Sequence, residues 1–345
     1  MIHICNWLLT RRCNLKCSYC ALVRNYNNKP PEYPNINYYF KNEMTTEYVI
    51  ECMRRLKIHN PNMFHILYGG EPLLRDDLPD IINYMNKEEI NYTIITNNTD
   101  EVQPRLERLI KNTKYIQGLS ASVDPLVNTD EPRGDRYKKC IAGFNNLLKY
   151  KGKIRDLVAE MTVDVNNVDY MYDLVYTLHE NGINTDITFI DISESIYYDF
   201  SNVNKRSSLV KPSWNLKNQL QRIIDEKLDV HMAEELLPRI FNILPANLDC
   251  GIEKNVHNIT VDADGTLRLC LRIRGIETSR LKLTNYISEF GEIKSMLKYN
   301  ISKDKDKYCE GCNHTCQLMS MILQENEEKV KDLVHLNKRG QNEKI

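Results

Sequence analysis

The chain lacks a surplus of charge: 46 basic residues stand against 47 acidic ones in 345 positions, a formal net charge of −1. Without a field of one sign it is poorly suited to wrapping nucleic acid or docking on an acidic membrane. It also lacks any apolar run approaching the ~20 residues that span a bilayer. The opening Met1-Ile2-His3-Ile4-Cys5 has neither the basic segment nor the apolar stretch of a secretion signal. A cytoplasmic protein is expected. No internal repeat or low-complexity tract is present, and 345 residues at 42% hydrophobic can bury one large core or two medium ones.

Against this ordinary background stand eleven cysteines, at 5, 13, 17, 20, 52, 140, 250, 270, 309, 312 and 316. In a reducing compartment clustered thiols hold metal or do chemistry more often than they form disulfides, and a chain of this length needs no staples. Three cysteines fall within eight residues near the start and three more within eight residues near the end, with Cys250 and Cys270 between. Cys5, Cys52 and Cys140 are isolated and read as small buried apolar residues.

Apolar, β-rich runs at 4–9, 64–68, 92–96, 116–122, 158–165 and 186–190 alternate with amphipathic patterns near 46–58, 78–85, 102–110, 137–150 and 168–179. Strand and helix repeated six times imply a parallel sheet with right-handed crossovers, either a partial barrel or a doubly wound sheet. The polar and glycine-rich residues fall after successive strands: Cys13 to Cys20 after the first, Gly69-Gly70-Glu71-Pro72 after the second, Asn97-Asn98 after the third, Ser122-Val123-Asp124 after the fourth. Barrel enzymes build their sites on that rim. Beyond about residue 191 the pattern changes to helical segments near 215–227 and 231–243. A hairpin follows at 259–261 and 266–273 around Asp262-Ala263-Asp264-Gly265, where a second, smaller module is expected. The expected division is 1–200 for the barrel, 201–245 for a helical linker, 246–335 for the second module and 336–345 for a polar tail.

Three thiolates in one short loop can hold three corners of a metal cluster, one short of the four that usually hold a cubane iron–sulfur centre. An iron with an open position can bind and activate a ligand. A zinc site completed by His3 or His65 is the alternative reading. Cys13-x3-Cys17-x2-Cys20 with Tyr19 before the third cysteine resembles the signature of the radical S-adenosylmethionine (radical SAM) enzymes, and Gly69-Gly70-Glu71-Pro72 is similar to that family's glycine-glycine-glutamate motif. The resemblance implies a partial (β/α)6 TIM-like barrel whose first cluster is a catalytic 4Fe-4S centre that chelates S-adenosylmethionine. One electron would then cleave the cofactor to a 5′-deoxyadenosyl radical that abstracts hydrogen from substrate. It further implies that the Gly-Gly-Glu turn meets the methionine amino group and that Ser122 or Asp124 contacts the ribose or carboxylate. Asn97, Asn98 and Arg133 are weaker carry-overs, for which capping or surface roles compete. An electron donor such as flavodoxin or ferredoxin is implied as a partner.

Cys250-x14-Gly265-x4-Cys270 and Cys309-x2-Cys312-x3-Cys316 resemble the auxiliary-cluster modules called SPASM and twitch. Five thiolates suit one cubane, implying a small α+β twitch domain with a single auxiliary 4Fe-4S cluster on Cys250, Cys270, Cys309 and Cys312. Cys316 is then a substitute, a hydrogen donor or a spare, and a structural zinc is again the alternative. If the second hairpin strand continues, Arg268, Arg272 and Arg274 share a face with Cys270 and form a candidate anion-binding strip, with solvated surface as the competing reading. Asp191 and Glu194 are candidates to face substrate.

Oxidation or rearrangement of a small molecule such as a sugar or nucleotide is the first expectation. Modification of a peptide or protein, by thioether formation, epimerisation or cross-linking, is the second, lowered because no recognition domain precedes the first strand. Cyclisation of GTP for molybdenum cofactor fits Gly69 to Asp77 but not the C-terminal residues 339–345. A non-catalytic zinc or iron–sulfur binding protein is the alternative of a different class.

Overall fold

The computed structural model describes residues 3–15, 17, 43–124, 144–150, 152–189, 210, 213–231, 233, 237, 258–265 and 267–268. The elements run β1 (Ile4–Leu8), α1 (Thr46–His59), β2 (Phe64–Tyr68), α2 (Leu78–Lys87), β3 (Asn91–Thr96), α3 (Gln103–Asn112), β4 (Ile116–Ser122), β5 (Ile154–Val163), α4 (Met171–Glu180), β6 (Asn184–Phe189), α5 (Trp214–Asp225), β7 (Asn258–Val261) and β8 (Leu267–Arg268). One sheet holds all eight strands of the described residues in the order β6-β5-β4-β3-β2-β1-β7-β8. Every pair is parallel except β7 with β8. This is an α/β half-barrel: of the partial barrel and the doubly wound sheet that the alternation of strand and helix allows, the structure forms the first.

The helices form where apolar residues recur at helical spacing and a polar side chain closes the first turn. In α1, Val49, Cys52, Met53 and Leu56 are buried, and the Thr45 hydroxyl accepts the Tyr48 amide at 3.3 Å. In α5, Leu216, Gln219, Leu220 and Ile223 face inward, and Ser213 caps Leu216 at 3.1 Å. Helices cover the sheet face that carries Cys5, Trp7, Leu67, Tyr92, Ile94, Leu119, Ala121, Ala159 and Met161, all buried. Cys5 and Cys52 are core residues as expected, and burial pushes both thiols up, that of Cys52 to about 12. Cys140 lies outside the described residues.

The opposite, inner face departs from the usual parallel sheet, in which both faces are apolar. Register places Asn6, Ile66 and Thr93 side by side, then Ile95 beside Ser120, and Ser122, Glu160 and Asp186 in one row. Hydrophobic and polar residues therefore alternate through strands that would otherwise read as continuous apolar runs. A buried polar row needs a reason.

Where the sequence suggests a separate second module opening on the hairpin, the structure places β7 in the barrel sheet itself, paired with β1. β1 would otherwise be an open edge. Asn6 Nδ2 donates to Asn258 Oδ1 at 2.5 Å, and Met44 N donates to Ala263 O at 2.7 Å. Arg11 Nη2 reaches both Asp262 oxygens at 2.6 Å, with both residues buried. The Asp262 turn closes on Gly265 at φ +84°, as its positive-φ assignment requires. The hairpin beyond residue 268, the auxiliary cysteines, Arg272 and Arg274, most of the 231–243 helix and the domain boundaries proposed beyond the sheet lie outside the described residues. Among the described residues no helix is long and apolar enough to cross a membrane.

At the far edge, residue 230 bridges in parallel to Thr185 of β6, and His231 Nδ1 lies 2.8 Å from Asp186 Oδ1. Burial lowers the pKa of His231, but the Asp186 contact and the charges of Asp186, Asp156 and Glu160 outweigh it and raise it to about 9. Burial, then the Asp186 charge, raises Glu160. Burial also raises Asp156.

Two outcomes follow from these contacts. Replacing Asp262 by Ala strands a buried guanidinium, and denaturant unfolding should show a loss of about 3–5 kcal/mol; a loss below 1 kcal/mol would mean water already compensates Arg11. All three raised groups in the β5–β6 cluster favour the protonated form in the folded state, so their contribution is full below their unfolded values and fades as pH rises through the folded ones. Melting temperature should therefore fall by a few degrees, roughly, between pH 6.5 and 9.5, and in His231→Gln the part of the loss above pH 8 should vanish. A flat wild-type profile would contradict this.

Candidate active site

Four strand ends meet at one mouth. After β1 the chain does not turn away but stays alongside the exit of β2: Leu9 N donates to Tyr68 O at 2.8 Å, Gly70 N to Thr10 O at 2.7 Å, and Glu71 N to Arg12 O at 2.8 Å. This approach leaves no room for side chains on the turn. A Cβ on Gly69 would sit 2.4 Å from Thr10 O, and one on Gly70 would sit 2.1 Å from Arg12 O. The two glycines are required by the root of the cysteine loop itself.

That root is braced on three sides. Glu43 Oε1 accepts from the Thr10 hydroxyl at 2.5 Å and from Arg11 N at 3.2 Å. The buried Arg75 guanidinium donates to Leu9 O and to Met44 O at 2.9 Å each, and to both Asp77 oxygens. Arg11 holds Asp262 on the third side. Cys13 and Cys17 then emerge partly exposed, unlike the buried Cys5 and Cys52. Leu15 N donates to Cys13 Sγ at 3.3 Å, and Asn97 Nδ2 lies 3.8 Å from the same sulfur. Amide donors turned toward a sulfur suit a metal-bound thiolate. Cys20 and Tyr19, which complete the motif, lie outside the described residues, as does Arg133.

Glu71 is fully buried and its carboxyl is turned into the fold. Oε1 accepts from Leu73 N at 3.0 Å and from the Thr96 hydroxyl at 2.9 Å, while Oε2 accepts from Asn97 N at 2.7 Å. Burial pushes its pKa up to about 7 despite three donors that favour the ionised form. Through these three bonds Glu71 stitches the exit of β2 to the exit of β3. Asn97 is half-buried beside the cysteine loop, whereas Asn98 is buried at φ +53° and accepts from Gln103 Nε2 at 2.7 Å, a structural position.

Ser122 ends β4 on the inner face and is nearly buried. Asp124 Oδ1 accepts from Thr162 N at 3.0 Å, tying the β4 exit to β5. His65 is excluded as a metal ligand for the loop. It lies on the helix-covered face, takes the Trp7 indole proton on Nδ1 at 2.9 Å, and burial lowers it to about 3. His3 stands before β1, the full strand length (~17 Å) from the mouth. Asp191 and Glu194 lie outside the described residues.

Sequence reasoning passes over the β5–β6 row. Glu160 accepts from the Ser120 hydroxyl at 3.1 Å and from the Thr188 hydroxyl at 3.0 Å, beside the Asp186–His231 pair. The available signal is that acids at 156, 160 and 186 interrupt strands otherwise buried in an α/β sheet.

Gly70→Ala is the sharpest probe of the mouth. The new methyl meets backbone, which cannot swing aside, so an overpacking cost of about 2 kcal/mol or more is expected in denaturant unfolding, with weaker metal loading. Unchanged stability would show that the root of the loop moves freely.

The chain has recognisable relatives. Residues 7–191 match the Radical SAM superfamily. Over 317 residues it is 26% identical to the GTP 3′,8-cyclase of Aquifex aeolicus, covering 88% of this chain and 89% of that one. It is 27% identical over 183 residues to the pre-heme d1 synthase of Dinoroseobacter shibae, covering 51% of this chain and 40% of the relative. Among solved structures it superposes on anSMEcpe with bound AdoMet and a Cp18Cys peptide, at TM-score 0.55 and 16% identity over 97% of this chain and 99% of that one. Streptococcus suis SuiB bound to S-adenosylmethionine gives TM-score 0.56 and 14% identity over 86% and 68%. At these identities the structural matches speak for the fold. The sequence match covers more than half of the chain and coincides with the braced cysteine loop and the Gly-Gly-Glu turn: the protein belongs to the radical SAM superfamily of enzymes.

Proposed function

We propose that the protein reductively cleaves S-adenosylmethionine at a 4Fe-4S centre held by Cys13, Cys17 and Cys20 and uses the resulting radical on a small-molecule substrate. The observation that carries this reading is the fusion of the cysteine loop with the Gly69-Gly70 turn, which sets thiolate ligands beside a side-chain-free stretch of backbone at the barrel mouth. The residues present fit the group. Cys13 and Cys17 are partly exposed thiols with amide donors at Cys13, and three thiolates leave one iron for an exogenous ligand. When bound, the cofactor pair supplies an electron and a carbon-centred radical able to take hydrogen from substrate.

The chain's own residues orient and exclude. The Gly69-Gly70-Glu71 turn would receive the methionyl ammonium, Ser122 or Asp124 would meet the ribose or carboxylate, and Glu71 also keeps the two strand exits in register. Arg133 and Tyr19 are retained as cofactor-side candidates. The inner-face row of Ser120, Glu160, Asp186 and His231 would line the substrate side. A one-electron donor such as flavodoxin or ferredoxin completes the system. Cys250, Cys270, Cys309 and Cys312, with Cys316 as the alternate, would hold a second 4Fe-4S cluster in a twitch-type module.

Similarity to a GTP cyclase along nearly the whole of both chains favours a small-molecule substrate. Peptide modification is the second reading, supported by the fold likeness to SuiB bound to its precursor peptide SuiA (TM-score 0.57).

Anaerobic reconstitution tests the proposal. About eight irons per chain are expected, with 5′-deoxyadenosine formed under reduction; Cys17→Ala should lose that product while keeping about four irons. Two zincs and no cleavage would sink the enzyme reading, and about four irons in the wild type would remove the second cluster. With deuterated cell extract, label should reach 5′-deoxyadenosine from the low-mass fraction. Label arriving only from the macromolecular fraction would transfer the assignment to peptides.

A further inference from the structure

The side chains that join the cysteine loop to the exit of β3 form a closed ring. Asn97 Nδ2 donates to Asn14 Oδ1 at 2.8 Å, Asn14 Nδ2 donates to the Thr99 hydroxyl at 2.9 Å, and that hydroxyl donates to Asn97 Oδ1 at 3.1 Å. Each group gives one hydrogen bond and takes one, so the three polarise one another in the same sense. Thr99 N adds a second donor to Asn97 Oδ1 at 3.2 Å, and Asn14 Nδ2 also reaches Glu101 Oε2 at 2.9 Å.

The ring settles which way the Asn97 carboxamide faces. Its oxygen must meet two donors from Thr99, so its nitrogen faces Asn14 Oδ1 and Cys13 Sγ. A flipped amide would oppose N–H to N–H on one side and oxygen to oxygen on the other. Two constraints thus hold an N–H donor near the first cysteine of the motif: the ring on the side chain, and the bond from Asn97 N to Glu71 Oε2 on the backbone.

Resting on the assignment of a 4Fe-4S centre to Cys13, Cys17 and Cys20, we propose that Asn97 is a positioning residue that sets the reduction potential of that centre by donating an N–H to the Cys13 sulfur, and that the Asn14–Thr99 ring exists to hold that donor. Adding one electron to an iron–sulfur centre increases negative charge on its sulfurs. A donor aimed at a sulfur stabilises the reduced form and raises the potential.

The test is a redox titration of the reconstituted full chain, followed by absorbance and by the electron paramagnetic resonance of the reduced centre, without S-adenosylmethionine. Asn97→Asp keeps the shape and the acceptor for Thr99 but replaces the donor with oxygen. At a fixed potential near the wild-type midpoint, its ratio of reduced to oxidised centre should fall by roughly tenfold, the scale of one hydrogen bond to a charged group. Asn97→Gln, which retains a carboxamide, should recover part of that ratio. If Asn97→Asp does not load iron, Asn97→Ala, which removes the donor without adding charge, is titrated instead, and the same direction of shift is expected. An unchanged ratio in the loaded variant overturns the proposal, as does an equal loss in Asn97→Gln, since the amide donor would then not matter. A wild-type chain that takes up no iron would instead overturn the cluster assignment, so the two failures are distinguishable.

Discussion

The site depends on one contact: the chain leaving β1 and the chain leaving β2 run side by side so closely that two positions must have no side chain. Three consecutive backbone bonds, from Leu9, Gly70 and Glu71, close the approach. Parallel strands ordinarily diverge at their ends into separate loops. Here the pairing persists beyond the sheet, so the cysteine loop starts from a backbone already fixed on its neighbour. Glu43, Arg75 and the Arg11–Asp262 pair brace that start from three directions. A loop that must present thiolates to a metal gains little from strong ligands if its base can drift, because misplaced groups lose geometry before they lose affinity.

The same constraint explains why β7 joins the barrel sheet. Asp262 can neutralise Arg11 only if the hairpin turn lies against the exit of β1, and pairing β7 with β1 delivers it there. The edge strand thus does two things: it covers an open edge, and it carries the counter-charge for the loop root. The hairpin turn is thereby attached to the base of the first cysteine loop through a buried ion pair.

The strand positions are legible in the sequence because β-branched and apolar runs end at glycine, asparagine or serine in register with the mouth. The helices are legible because Val49, Cys52, Met53 and Leu56 repeat at helical spacing. Cys13, Cys17 and the two glycines can be found from spacing alone. The braces cannot: Arg11 and Asp262 are 251 positions apart, and Asn14 and Thr99 are 85 apart. Nothing local distinguishes those polar residues from solvated ones. Glu71 is half legible for a related reason: the two glycines before it mark the turn, but the bonds its carboxyl accepts from Leu73, Thr96 and Asn97 exist only because the fold brings those residues together. The acids of β5 and β6 are visible but mute, because alternation says which face they share and not what they meet.

The two ends of the inner face differ in how much freedom they retain, and that difference divides labour. At β1 to β3 Arg11 and Arg75 are buried and bonded, Glu71 accepts three bonds from backbone and hydroxyl donors, and Asn97 is held in a ring, so a change there disturbs several elements together. At β5 and β6 the charged groups are only partly covered: Asp186 and His231 retain about a third of their side-chain exposure, at 38% and 33%. Their neighbours, Ser120 and Thr188, are small hydroxyls that adapt to either protonation state of Glu160. A rigid end suits a reaction step that does not vary, and an adaptable, half-open end suits whatever molecule that step acts upon. Substitutions at 156, 160, 186 and 231 can therefore alter this end of the inner face without loosening the root of the cysteine loop, since none of the hydrogen bonds described for that root runs through them.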